Sequence, residues 1–178
     1  GIADAAVYHA SAGRWYIRNI AASNTIAWNY AWGTSDMIPV AGDYDGDTRY
    51  DLALFQPSTG KWYIRRVAGG PAIAFGTNWG GPGMVPVPGD YDGDGVWDLA
   101  LFHPSTGKWY IRRVDGSVIR FGFTWGTSAM TPVPGDFNGD GVWDLALYHQ
   151  AAGKWYIVSG QTGGVIGTVA GSATGAAS

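Results

Sequence analysis

Three short segments of the chain place aspartates at alternating positions. They span residues 43–51, 90–98 and 136–144, and they contain eleven of the fourteen acidic residues. Side-chain oxygens stand at positions 1, 3, 5 and 9 of each segment, and position 7 offers a backbone carbonyl. Alternate side chains of a tight loop point inward, and a cation of calcium size takes about 6–8 oxygen ligands. The spacing therefore predicts three loops that bind a divalent cation.

We call these segments the first, second and third aspartate loops. Each has a glycine at position 4, where the missing Cβ permits a sharp turn. Several carboxylates in one loop favour calcium over magnesium, which keeps several of its waters. A single Asp-Gly turn needs no metal, but three copies in register favour one, and the missing glutamate at position 12 excludes an EF-hand. The predicted ligands, in which Arg49, Val96 and Val142 act through their carbonyls, are Asp43, Asp45, Asp47, Arg49, Asp51, Asp90, Asp92, Asp94, Val96, Asp98, Asp136, Asn138, Asp140, Val142 and Asp144.

The aspartate loops belong to a longer repeat. The tripeptide Trp-Tyr-Ile occurs at residues 15–17, 62–64, 109–111 and 155–157, at spacings of 47, 47 and 46 residues. Each unit has four strand-like runs separated by turn residues, and in the third unit these runs are 84–89, 97–103, 108–114 and 118–123. Four antiparallel strands in a unit of this length are typical of a β-propeller blade.

The predicted fold is therefore all-β, a β-propeller of four blades of four antiparallel strands. We expect one domain over residues 1–170, with units of roughly 1–36, 37–83, 84–129 and 130–170, and a small-residue tail or linker at 171–178. Asp4 aligns with Asp144, so the first blade lacks its innermost strand within this chain. Asp4 is then part of an incomplete metal site that a neighbouring chain would complete, which makes about three calcium sites in the chain and a fourth that is shared.

The composition agrees with this prediction and excludes several functions. All acidic residues are aspartate, glycine contributes 29 residues and aromatic residues 15%, as expected for short strands and tight turns. The absence of cysteine excludes disulfides and thiolate metal sites. A net charge of −3 disfavours nucleic acid as a partner. The chain has no apolar run long enough for membrane insertion.

The repeat resembles the FG-GAP/VCBS class of calcium-binding β-propeller repeats, found in secreted bacterial proteins and related to the blades of integrin α-subunits. The resemblance rests on Asp-x-Asp/Asn-Gly-Asp-x-x-x-Asp and on the Phe-Gly pairs at 75–76 and 121–122. It implies a propeller, calcium between the first and second strands of a blade, and an extracellular or cell-surface location. The chain departs from the pattern at Thr48, where the later loops have glycine, and at Thr168 and Ser172, where the last unit lacks aromatics.

The sequence does not predict an enzyme. Glycoside hydrolysis usually needs two carboxyl groups for acid and base work. Only Asp36 and Asp115 lie outside the loops and the Asp4 remnant. The three histidines, His9, His103 and His149, share one repeat position, which favours a structural role.

Two further functions remain beside a structural or adhesive module. In the main hypothesis the open edge of the first blade accepts a strand from another chain, so that self-association builds a fibre, and the uncharged segment 163–178 is the candidate strand. The alternative is a lectin-like propeller in which Trp32, Trp79 and Trp125 stack on glycans; these tryptophans equally suit the gaps between blades. A third hypothesis is an accessory domain of a larger secreted enzyme.

Overall fold

The computed structural model describes residues 4–170, and these form four antiparallel sheets with almost no helix. The chain divides into two compact units, Gly1–Pro82 and Gly83–Ser178, with two sheets each. Consecutive strands are neighbours in every sheet, which is the meander of a propeller blade. The predicted four-bladed, all-β fold is confirmed. The expected tail at 171–178 lies outside the described residues.

The first unit contains a sheet of three strands and a sheet of four strands. The three-stranded sheet comprises β1 (Ala5–His9), β2 (Arg14–Arg18) and β3 (Thr25–Ala31). The four-stranded sheet comprises β4 (Ile38–Pro39), β5 (Leu52–Gln56), β6 (Lys61–Arg65) and β7 (Ala72–Asn78). Among the described residues no strand pairs with the free edge of β1, as the truncated first blade predicts.

The second unit contains two four-stranded sheets. The third blade comprises β8 (Val85–Pro86), β9 (Leu99–His103), β10 (Lys108–Arg112) and β11 (Val118–Thr124). The fourth comprises β12 (Met130–Pro132), β13 (Leu145–His149), β14 (Lys154–Val158) and β15 (Val165–Ala170). Short 3-10 turns at Ala10–Ala12 and Gln150–Ala152 join the second and third strands of the first and fourth blades.

The first two strands of the third blade are shorter than the sequence predicts. The run 84–89 forms a strand only at Val85–Pro86, because prolines at 86 and 88 cannot donate to a ladder. The run 97–103 forms a strand only from Leu99. Asp98 instead makes an isolated bridge to Gly89, which closes the base of the second aspartate loop.

The core of each unit lies between its two sheets. Residues 52–55 of β5 and 99–102 of β9 are buried on both faces, whereas on β6 and β10 only the tryptophan and isoleucine are buried. This alternation is the period of a half-buried strand. Within the described residues no helix has the length and apolarity needed to cross a lipid bilayer.

The Phe-Gly pairs form β-bulges in the outermost strands. Tyr110 pairs with Phe121 and Trp109 with Phe123, so that Gly122 is the extra residue, with φ +69°. Gly76 in β7 repeats this arrangement with φ +68°. The motif therefore specifies a bulge, because a residue without Cβ takes this conformation most easily.

Candidate metal centres in the aspartate loops

The aspartate at position 1 organises each loop from within. In the second loop, Asp90 Oδ1 accepts the backbone N–H groups of Gly93 at 2.6 Å and Asp92 at 3.3 Å, and Oδ2 accepts that of Gly95 at 2.8 Å. Asp43 and Asp136 accept the corresponding N–H groups of the other two loops. The position-1 carboxylate thus holds the turn in shape, and its Oδ2, which accepts a single N–H, keeps acceptor capacity for a cation.

The aspartate at position 9 anchors each loop to its blade. Asp51, Asp98 and Asp144 are buried. Their Oδ2 atoms accept the backbone N–H of position 2, at 2.9 Å from Tyr44, 2.9 Å from Tyr91 and 3.0 Å from Phe137. The two ends of the loop are therefore tied by one carboxylate at the start of the second strand.

Burial makes the position-9 carboxyls poor acids. Desolvation, reinforced by the neighbouring aspartates, raises the pKa of Asp98 to about 7 and that of Asp51 to about 6. Burial also raises the pKa of Asp144. A nearby positive charge would favour the ionised forms of these groups, as expected of a site that is complete only with a cation.

Two of the three loops bring carboxylates close together. Oxygens of Asp43, Asp45 and Asp51 lie within 4.8 Å of one another, and so do oxygens of Asp90, Asp92 and Asp94. Asp92 Oδ1 is buried and has no hydrogen-bond partner. An ionised oxygen is costly to bury without a partner, so this all-oxygen donor set fits calcium. The position-7 residues Arg49, Val96 and Val142 donate their N–H groups to position 5, and their carbonyls remain predicted ligands.

The third loop is built differently at position 3. Asn138 replaces the aspartate, and its side-chain amide donates to Asp140 Oδ2 at 2.8 Å. Within residues 4–170 this loop provides no cluster of three carboxylates like those of the other two loops. Asp136, Asp140 and Asp144 still surround the turn through hydrogen bonds to Gly139, Val142 and Phe137.

Two arginines that the sequence analysis did not single out contact the first and second loops. Arg66 Nε donates to Asp45 Oδ2. Arg113 Nε lies 2.6 Å from Asp92 Oδ2 and 3.4 Å from Asp94 Oδ2. Their shared repeat position was the available signal, because each arginine follows its position-3 aspartate by 21 residues.

The departures from the repeat pattern have distinct structural outcomes. Thr48 adopts φ +67°, close to the values of Gly95 and Gly141 at the same position. A β-branched residue is strained in this region, so the first loop retains its turn at some cost. Asp4 is exposed at the start of the first blade, and its role in a shared metal site stays a prediction.

The candidate glycan-stacking tryptophans lie partly between sheets. Trp32 donates its indole N–H to the Leu52 carbonyl at 3.2 Å, and Trp125 donates to the Leu145 carbonyl at 3.1 Å. Trp79 is half-buried and its backbone carbonyl accepts the indole N–H of Trp62. Trp32 and Trp125 therefore fill the gap between the two sheets of their own unit, as the packing interpretation predicts.

Each of these two tryptophans also lines a cavity. In the first unit a cavity of about 290 Å³ lies beside Trp32, Tyr63 and Phe75. In the second unit a cavity of about 140 Å³ lies beside Trp125, Leu147 and Tyr156. The two cavities occupy equivalent repeat positions, and the first is the more aromatic because the last unit has no counterpart of Phe75.

The three histidines and the two aspartates outside the loops, Asp36 and Asp115, have hydrogen-bond partners. His103 Nδ1 lies 3.0 Å from Ser105 Oγ, His149 Nδ1 accepts the Ala152 N–H, and His9 contacts Ser11. Hydrogen bonds from Thr34 and Gln56 lower the pKa of Asp36, and the Ser117 N–H lowers that of Asp115. Neither aspartate has the raised pKa of a general acid.

Comparison with known proteins agrees with the repeat and the fold. Residues 90–147, which contain the second and third aspartate loops, match the FG-GAP-like repeat family model. No curated protein matches the sequence. The structure is similar to that of an Agrocybe aegerita lectin solved to explain specific recognition of non-reducing terminal N-acetylglucosamine, with a TM-score of 0.55 and 16% identity. The match covers 94% of this chain and 52% of the lectin chain, so this chain spans about half of that protein.

These findings define the class of the protein. The chain has a β-propeller fold, and the match over residues 90–147 confirms the resemblance to FG-GAP-type repeats. At this level of identity the likeness to the lectin concerns the fold alone.

Proposed function

We propose that the chain is a non-enzymatic, extracellular structural or adhesive module whose blades are stabilised by calcium in the aspartate loops. The observation that supports this best is the second loop, where three carboxylates converge and the buried Asp92 Oδ1 has no partner. Asp90, Asp92, Asp94 and Asp98 would hold the ion there. The ion would add positive charge to a loop in which four carboxylates face the single guanidinium of Arg113.

The loops would then control the stability of each blade. The position-1 carboxylate shapes the turn and the position-9 carboxylate connects it to the second strand. A ligand that binds the folded state alone stabilises it by about 2.7 kcal/mol at a concentration of about 100 Kd. With several loops the total is large against the usual stability of a domain.

Thermal unfolding with calcium and with a chelator tests the proposal. We expect the melting temperature to rise with calcium and to fall with EDTA. The variant Asp92→Asn/Asp94→Asn should lose part of this response. Asp115→Asn is the matched control, because Asp115 lies in an exposed hairpin turn bonded to Ser117. If neither calcium nor EDTA moves the wild-type melting temperature, the metal role is wrong.

Self-association through the first blade is the adhesive part of the proposal. The residues of β1 are mostly exposed, whereas those of the equivalent strand β5 are mostly buried. A strand edge without a partner is a template for an added strand. Val7→Lys, a charge on this exposed strand, should reduce any assembly seen by light scattering. Val118→Lys, on the exposed outer strand β11, should not.

Glycan binding is the second candidate function, favoured by the aromatic cavity of the first unit. Trp32, Tyr63 and Phe75 surround it, and aromatic faces suit the apolar faces of sugars. The lectin of similar fold recognises non-reducing terminal N-acetylglucosamine, which indicates the sugar to test. Phe75→Ala should abolish binding of glycans that end in N-acetylglucosamine, measured by calorimetry. Trp28→Ala is the matched control, because Trp28 has the same repeat position and the same exposure, 72% against 73% for Phe75. Failure of wild type to bind such glycans would contradict this candidate.

A further inference from the structure

The first and second aspartate loops each have an arginine partner, and among the residues that the structure describes the third loop has none. Arg66 and Arg113 stand directly after the third strand of their blades, and Ser159 occupies the same position in the fourth blade. Position 3 changes together with this residue: Asp45 and Asp92 accompany the arginines, whereas Asn138 accompanies Ser159. Within one chain, the negative charge at position 3 therefore appears only where an arginine is present to meet it.

The ion pairs Arg66–Asp45 and Arg113–Asp92 are partly buried against their aspartate loops, where they can affect loop stability. The side chains of Asp45 and Asp92 are only 10% and 15% exposed, and those of Arg66 and Arg113 are 39% and 44% exposed. The turn of the β10–β11 hairpin holds Arg113 in place, because its N–H donates to the Ser117 carbonyl and its carbonyl accepts the Gly116 N–H. The arginine thus reaches the loop from a fixed backbone position, from the solvent side.

The third loop reaches the same net charge as the second loop without a cationic side chain. The Asn138 amide donates to Asp140 Oδ2, as Arg113 faces Asp94 in the second loop. Ser159 is buried and its hydroxyl accepts the Thr162 N–H. The second loop with its arginine and the third loop without one reach the same formal charge of −3, because one has four aspartates and the other has three.

We propose that Arg66 and Arg113 are tethered counter-charges that hold the first and second loops together without a cation and lower the cation affinity of these loops. The affinity part rests on the proposed function. Asp92 gives one oxygen, Oδ2, to the guanidinium and leaves the other, Oδ1, for a cation, so the two positive charges would share one carboxylate. The guanidinium also repels a divalent cation, and with water-like dielectric screening this repulsion across about 6 Å corresponds to roughly tenfold in affinity.

A double-mutant cycle on Arg113 and Asp92 tests this role. Arg113→Ser should bind calcium about tenfold more tightly by calorimetry and should melt at a lower temperature in EDTA. Asp92→Asn should weaken calcium binding. The double variant Arg113→Ser/Asp92→Asn reproduces the pair found in the third loop, so it should recover most of the melting temperature that Arg113→Ser loses in EDTA.

Two controls separate the local contact from net charge. Arg18→Ser removes one positive charge at an exposed arginine that bonds the Ser23 carbonyl in the first blade, and it should change neither readout. Arg113→Lys keeps the charge and should retain most of the stability in EDTA. If Arg113→Ser behaves like Arg18→Ser in both readouts, the inference is wrong.

The failures of the two proposals are distinguishable. If wild type binds calcium and Arg113→Ser binds it no more tightly, the affinity part of the inference is overturned and the proposed function stands. If no variant binds calcium, the proposed function and the affinity part are both overturned. The cycle in EDTA still decides the counter-charge role, since absence of coupling between Arg113 and Asp92 there would disprove it.

Discussion

The second aspartate loop, in the third blade, and the third aspartate loop, in the fourth blade, share a sequence motif. They differ in how far neighbouring residues cover them. In the third blade Tyr91 is fully buried, and its hydroxyl donates to the Val87 carbonyl at 2.7 Å. Trp143, from the following repeat, packs against the Tyr91 ring and donates its backbone N–H to the Asp90 carbonyl at 2.7 Å. In the fourth blade Phe137 takes the place of Tyr91 and is 45% exposed.

This difference shows that an aspartate loop is completed by its neighbour. The second loop contributes its own carboxylates, but the third loop supplies the tryptophan that covers it. A Cβ on Gly89 would lie 2.2 Å from the Trp143 ring, so the strand before the second loop is shaped to receive that ring. Loops of identical pattern therefore need not have equal stability or equal affinity for a ligand.

Removal of the covering tryptophan should produce the largest effect. Trp143→Ala should destabilise the second unit by about 3 kcal/mol, because a large aromatic packed against the core is lost. Phe137→Ala, the comparison in the uncovered loop, should cost about 1 kcal/mol. Chemical denaturation measures both values. Equal costs would mean that the neighbouring repeat does not support the second loop.

The pH dependence of the cation-free protein should come next. The folded chain raises the pKa of Asp98 from an ordinary 3.8 to about 7, mainly through burial. Between these values the folded state keeps a proton that the unfolded state releases, so stability in EDTA should fall as pH rises from about 4 to about 7. Thermal unfolding across this range measures the slope.

Variants at position 9 show which aspartate loop causes the fall in stability with rising pH. Asp98→Asn should flatten it more than Asp144→Asn does. Burial, the main cause, and three aspartates raise the pKa of Asp98 against one backbone N–H. Burial and two aspartates raise the pKa of Asp144 against two backbone N–H groups, those of Phe137 and Gly160. A slope that survives Asp98→Asn unchanged would show that other groups control the response.

The outermost strands provide a smaller difference between the same two blades. Gly122 in β11 is a bulge residue at φ +69°, whereas Gly167 in β15 pairs regularly with Ile157. Gly122→Ala should cost about 1–2 kcal/mol, the usual penalty for a Cβ in the left-handed region. Gly167→Ala should be close to neutral because nothing lies within 4 Å of the new Cβ. Urea midpoints of the two variants test this, and equal values would argue against the bulge as the reason for glycine.

The repeat, the strands and the aspartate loops could be predicted from the sequence because their residues recur periodically. Trp109 and Ile111 recur at fixed spacing, alternate along a strand and are buried, as the pattern predicts. Contacts between elements that are distant in sequence were harder to predict from the sequence. The ion pair of Arg113 with Asp92 spans a hairpin turn and a loop, and no spacing rule for cation ligands includes it. The burial of Tyr91 and the exposure of Phe137 depend on which repeat follows, which the motif does not encode.

The tyrosine hydroxyl of the second loop should have the smallest effect, and it tests the comparison most directly. Tyr91→Phe removes the hydrogen bond to the Val87 carbonyl and leaves a buried acceptor unpaired, so it should cost about 1 kcal/mol. Phe137→Tyr adds the hydroxyl to the exposed ring of the third loop and should leave stability unchanged. Chemical denaturation of both variants measures the pair. A gain from Phe137→Tyr as large as the loss from Tyr91→Phe would show that the third loop has the same enclosed geometry, and that the two loops differ only in residue type.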